Sequence, residues 1–136
     1  MSTHLKDRVE RIEQVIAKLR EESAKSKPIV VEGKKDLQAL RDLGIIGKIL
    51  TVKTGGKSFL EATAEIEALH ADEVILLLDF DRRGKEGTGR LQQSLKRTKI
   101  NVNSQFWLEL HGLVGREIHC IESLPSYLST LQQKTA

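Results

Sequence analysis

Val74-Ile75-Leu76-Leu77-Leu78-Asp79-Phe80-Asp81-Arg82-Arg83-Gly84 is the stretch on which the reading of this 136-residue chain turns. Five consecutive apolar residues predict a strand buried on both faces, as in a parallel sheet covered by helices. Two carboxylates at i and i+2 follow it at once. They have no place in the strand's packing. Side chains two apart on an extended chain point the same way, so their charges repel unless a cation lies between them. Hard oxygen donors suit magnesium, which takes one or two protein carboxylates and fills its other positions with water and phosphate oxygens. The plainer alternative is that one Asp caps the next segment and the other is solvated.

Upstream, Ile29-Val30-Val31 is a short β-branched run that ends in Glu32-Gly33-Lys34-Lys35-Asp36. Ile49-Leu50-Thr51-Val52 is a second strand candidate and leads into Lys53-Thr54-Gly55-Gly56-Lys57. Between and beyond these, residues 36–43 read as a helix stopped by Gly44. Residues 58–70 read as an amphipathic helix with Phe59, Leu60, Ile66 and Leu69 inward. Residues 90–99 and 104–113 look helical, residues 117–121 read as a fourth strand, and 126–132 as a terminal helix. Strand–helix alternation with short loops implies an α/β sandwich around a mostly parallel sheet of about four strands. Such sheets put their sites beyond the carboxyl ends of the strands.

That rule gathers Glu32 with Asp79 and Asp81, three carboxylates from two strand ends, as a candidate metal site. Glu32 could instead be a helix-start charge favoured by the dipole. Gly33 permits a tight turn, and Asp36 could cap the helix. Lys34, Lys35, Lys53, Lys57, Arg82, Arg83 and Lys85 also follow predicted strands. A cationic rim around carboxylates is what a phosphate-bearing substrate needs.

At the N-terminus, Leu5, Val9, Ile12, Ile16 and Leu19 recur at alternating spacings of four and three, an amphipathic helix ended before Pro28. The expected division is therefore 1–27, helix and linker, and 28–136, the α/β domain. The stripe either packs on that domain or serves as a contact for a homodimer or a partner protein. The chain has 39% apolar and 30% charged residues and a formal net charge of +3, which permits a polyanionic partner without predicting one. No run approaches the length of a membrane span, and residues 1–6 offer no apolar signal core. The single cysteine, Cys120, rules out an internal disulfide and suits a cytoplasmic setting.

Competing motifs fit less well. The segment from Thr51 to Ser58 would be a P-loop but for Thr51 where the first glycine belongs. A phosphatase of the haloacid-dehalogenase type wants Thr where Arg83 stands. His4, His70, His111 and His119 show no zinc-ligand spacing with Cys120.

Taken together, Val31-Glu32-Gly33-Lys34-Lys35-Asp36 and Leu78-Asp79-Phe80-Asp81-Arg82-Arg83-Gly84 resemble the two signature motifs of the Toprim family. That family includes topoisomerases, bacterial-type primases, recombination mediators and nucleases. The resemblance runs from about Ile29 to Ile121 and is nearest in flavour to small stand-alone Toprim proteins and ribosomal-RNA maturation nucleases. Those nucleases also carry a Glu-Gly-Lys segment and an acid placed like Glu86. The resemblance implies a three-layer, Rossmann-like fold with an N-terminal amphipathic helix added. It implies Mg2+, with Mn2+ as a substitute, held by Asp79 and Asp81, and Glu32 as general acid/base or as a sharer of the metal. Asp36 matches a further acid that often follows the Glu-Gly turn. Arg83 stands where type IA topoisomerases carry a third acid, and Tyr127, the sole tyrosine, lies near the C-terminus, so strand passage is not expected. The expected function is phosphodiester hydrolysis in nucleic acid, RNA favoured over DNA, or a related nucleotidyl transfer. Lys34, Lys35, Lys57, Arg82 and Arg83 are the expected phosphate contacts. The alternative is a non-catalytic nucleic-acid-binding subunit that docks through the first helix.

Overall fold

The computed structural model describes residues 3–52 and 58–136. In chain order the elements are α1 (Thr3–Ala24), β1 (Ile29–Val31), α2 (Lys34–Asp42), β2 (Ile49–Thr51), α3 (Phe59–Ala68) and β3 (Glu73–Leu76). They continue with α4 (Arg82–Leu95), β4 (Asn101–Asn103), α5 (Gln105–Val114), a 3-10 turn (Ile121–Ser123) and α6 (Leu124–Thr135). The strands form one parallel sheet in the order β2-β1-β3-β4.

The sheet is the middle of three layers. Alternate residues of each strand feed opposite cores, because successive side chains on a strand point to opposite faces. Ile29, Val31, Ile75 and Leu77 pack with α1, α2, α5 and α6. Val30, Val74, Leu76 and Leu78 pack with α3 and α4. The expected five-residue apolar run is fully buried from Val74 to Leu78. Its hydrogen bonding to β1 continues past the formal strand end through Leu77 N–H to the Val30 carbonyl (2.8 Å).

The α1 stripe packs on its own chain. Val9, Ile12, Ile16 and Leu19 are buried against α5 and α6, with Leu5 at the margin. Arg8 donates to the Tyr127 hydroxyl (3.0 Å) and Arg20 to the Leu43 carbonyl (2.7 Å). Of the two expected uses of this stripe, packing on the α/β domain is the one these contacts match, because the chain's own α5 and α6 cover the apolar face. At the far end of α1, Lys27 bridges Glu22 (3.0 Å) and Glu73 of β3 (3.6 Å). The hydrogen bond from Lys27, joined by Lys25, holds the Glu22 carboxyl below its ordinary range, and Glu22 in turn raises Lys27.

Further sequence expectations are corrected. Residues 117–121 form no strand: Ile118 and Ile121 are the buried pair, three apart, and the segment turns into the 3-10 helix. The fourth strand is Asn101-Val102-Asn103, an edge strand with one apolar residue and hence no apolar run to announce it. Helix α4 begins at Arg82 rather than near Arg90. Its glycines read locally as loop, but Gly84 and Gly87 are buried where the helix presses on the sheet. On α3, Leu60 is 79% exposed and faces out, as does Leu69, whereas Ala62, Thr63 and Ile66 are buried.

Candidate metal and nucleic-acid site

In the order β2-β1-β3-β4 the chain leaves β1 for β2 on one side, while β3 lies on the other. The carboxyl ends of β1 and β3 thus flank the topological switch point, where helices leave to opposite sides and a crevice opens. Glu32 follows β1 and is buried at 7% exposure. The register pairs Val30 with Leu76, and carried two residues further it sets Glu32 level with Leu78, beside Asp79. Asp79 is half-buried and Asp81 exposed, while Phe80 between them is buried in the opposite core. The structure therefore brings Glu32 and the Asp79-Phe80-Asp81 turn to one place.

That turn is held from several sides. The Trp107 indole N–H of α5 donates to the carbonyls of Leu78 (2.9 Å) and Asp79 (3.3 Å). The Phe80 N–H donates to the His119 carbonyl (2.7 Å). The Phe80 ring sits 6.1 Å from Trp107, which stacks on His111 at 4.9 Å and 7°. Asp81 caps α4, its Oδ1 accepting from the Gly84 N–H (2.8 Å). A Cβ on Gly84 would collide with the Asp79 carbonyl oxygen, so only glycine lets the helix start this close to the strand end.

Asp36 has a bracing task. Its carboxylate is buried and accepts the Gly33 N–H (3.1 Å) and, from across the fold, the Glu122 N–H (2.8 Å). Ligand atoms of Asp36, Cys120 and Glu122 lie within 4.8 Å of one another.

Lys34 and Lys35 are exposed on the first turn of α2, and Arg82 and Arg83 on the first turn of α4. Lys57 and Lys53 lie outside the described residues. Arg82 pairs with Glu86 (3.2 Å). Arg83 lines a cleft of about 220 Å³ together with Glu32, Val52, Phe59, Glu86, Gly87 and Arg90. The Arg90 guanidinium stands 5.7 Å from the centroid of the Phe59 ring. Arg90 escaped the sequence reading, which started a helix there instead of at Arg82. Positions 83, 86, 87 and 90 share one helical face, and that spacing was the available signal. As a donor set, Glu32, Asp79 and Asp81 offer hard carboxylate oxygens at adjoining strand ends, which fits a divalent cation.

The sequence profile of the Toprim domain matches residues 26–104, more than half of the chain. This chain belongs to the Toprim family. A UPF0292 protein of Methanosarcina acetivorans is 36% identical over 129 residues, covering 94% of this chain and 87% of its own. A UPF0292 protein of Methanocaldococcus jannaschii is 38% identical over 121 residues, covering 88% and 91%. Among solved structures, a protein from Aquifex aeolicus matches with a TM-score of 0.68 at 27% identity, over 82% of this chain and 95% of that one. The matched Toprim segment contains all four strands and the three carboxylates but stops before α5, so the Trp107 brace comes from outside it. Toprim membership ties the chain to divalent metals and nucleic-acid processing. Among the described residues, no helix is long and apolar enough to cross a membrane.

Proposed function

We propose that this Toprim protein is a magnesium-dependent nuclease that hydrolyses phosphodiester bonds, in RNA more readily than in DNA. The observation that carries this reading is the meeting of Glu32 with the Asp79-Phe80-Asp81 turn at the switch point, beside an arginine-lined cleft. Asp79, Asp81 and Glu32 are the residues that would hold Mg2+, or Mn2+ in its stead. When bound, the cation neutralises phosphate charge and lowers the pKa of water. Glu32, buried at the strand end, moves a proton to or from the attacking or leaving oxygen. Lys34, Lys35, Arg82 and Arg83, with Lys57, hold the flanking phosphates. Nucleotidyl transfer would use the same groups with a hydroxyl acceptor in place of water. The preference for RNA rests on the likeness of Glu32-Gly33-Lys34 to the ribosomal-RNA maturation nucleases. A cytoplasmic setting belongs to the same proposal.

The test is cleavage of 5′-labelled structured RNA and single-stranded DNA with Mg2+ or Mn2+. The wild type should cut, and Glu32→Gln should lose at least about a hundredfold in rate while still binding RNA. Asp79→Asn/Asp81→Asn should lose cutting together with metal dependence. Undiminished turnover by Glu32→Gln would remove it from the reaction. A wild type that binds RNA and never cuts would favour a non-catalytic delivery role.

A further inference from the structure

We propose that the cleft between α3 and α4 is a pocket for one unpaired nucleobase, which makes the substrate of the proposed nuclease site single-stranded where it is engaged. The inference rests on that site's handling nucleic acid, and goes beyond it by naming the strand form and the residues that select it.

The cleft's lining decides the ligand class. Among the described residues, Val52, Phe59 and Gly87 supply an apolar surface, while Glu32 and Glu86 set carboxylates beside the guanidinium groups of Arg83 and Arg90. Such a lining, with carboxylates set beside the guanidinium groups, repels a bare anion more than a purely cationic one would. It suits a flat, neutral, polar group whose face meets apolar surface and whose edge meets donors and acceptors. A volume of about 220 Å³ lies below the ~300 Å³ where drug-sized ligand pockets begin. One base fits that description, and a base can enter only if it has left its stack or was never paired.

Two features keep the cleft ready. A Cβ at Gly87 would stand 3.1 Å from Leu78 Cδ1 and 3.4 Å from Phe59 Cζ, so the glycine allows α4, β3 and Phe59 to approach without filling the space. Arg90 is placed over Phe59, and bases stack on both aromatic rings and guanidinium planes. Glu86 can accept from an exocyclic amino group. Because Glu32 belongs to both the cleft and the strand-end carboxylates, a base seated here brings its own phosphate to them.

The experiment is fluorescence anisotropy with Mg2+, at times before any cutting. The probes are a labelled 10-nucleotide single strand, the same strand with abasic sugars and unchanged charge, and the matching duplex. Wild type should prefer the single strand over the abasic strand and over the duplex by about tenfold, the scale of one stacked base. Arg90→Ala should bring single-strand and abasic binding to within twofold of each other, with its melting temperature showing an intact fold. Arg90→Lys should keep abasic binding and still lose most of the preference. Equal binding of normal and abasic strands by wild type would overturn the pocket while leaving the nuclease reading standing. So would an equal loss on both strands in Arg90→Ala, which would mark Arg90 as a phosphate contact only. Displacement of the strand by micromolar nucleoside monophosphate would likewise overturn it, in favour of a free-nucleotide site. Failure to bind any of the polymers would sink both readings.

Discussion

The two strand-to-helix turns at the site look alike in sequence and are built differently. Each runs from a buried strand into an acid, a glycine and a helix, and each uses an aspartate to accept a backbone N–H at the helix start. At the end of β1 the glycine stands ahead of the helix and of the bracing acid and is roomy: Gly33 has extended backbone, and a Cβ there would meet nothing within 4 Å. The bracing acid, Asp36, is buried and tied to Glu122 across the fold, leaving Glu32 as the acid presented at the switch point. At the end of β3 the glycine comes last and is crowded, since a Cβ on Gly84 would collide with the Asp79 backbone. There the capping acid, Asp81, is itself a proposed metal ligand. One turn divides bracing and presentation between two acids, and the other combines them in one. Errors in the second turn should therefore reach the chemistry directly.

The sharpest break of this contrast is Gly84→Ala. The clash is with backbone, which cannot swing aside, so the variant should lose about 3 kcal/mol or more of stability in urea titration. Its Trp107 fluorescence should also change, because the indole holds the Asp79 carbonyl that the added methyl group would displace. Wild-type melting and fluorescence would show the two turns to be equivalent after all. Asp36→Ala comes next. It leaves two backbone N–H groups without their acceptor and should cost about 2 kcal/mol. Per folded molecule, metal-dependent cleavage should change less than threefold. A loss like that of Asp79→Asn/Asp81→Asn would instead give Asp36 a place among the metal-binding acids. Gly33→Ala should be the mildest, within about 0.5 kcal/mol of wild type by thermal melting, because its backbone is extended and its surroundings open.

Much of this architecture was legible along the chain. Val74 to Leu78 read as the strongest strand, buried on both faces, and Glu32 and Asp79-Phe80-Asp81 stood out because acids abut apolar runs. Patterning also made α1 amphipathic, but its apolar stripe alone could not say whether another chain or this one covers it. Other elements were hidden for identifiable reasons. Strand β4 has a single apolar residue, since an edge strand with polar neighbours needs no hydrophobic run. The start of α4 was masked by glycines whose value is close approach, a property of two surfaces rather than one segment. With that start lost, the shared helical face of Arg83, Glu86 and Arg90 was lost too.

What the sequence determined by itself is the inventory and its local geometry: which residues form buried strands, which acids end them, and that helices alternate with strands. Only the tertiary structure decided which strand ends adjoin, that Trp107 from outside the matched Toprim segment braces the Asp79 turn, and that Phe59 and Arg90 close a cleft beside Glu32. Periodicity is written in neighbouring residues and depends on nothing else. Adjacency between β1 and β3, or between α3 and α4, depends on how whole elements share a core, and no stretch of residues carries that alone.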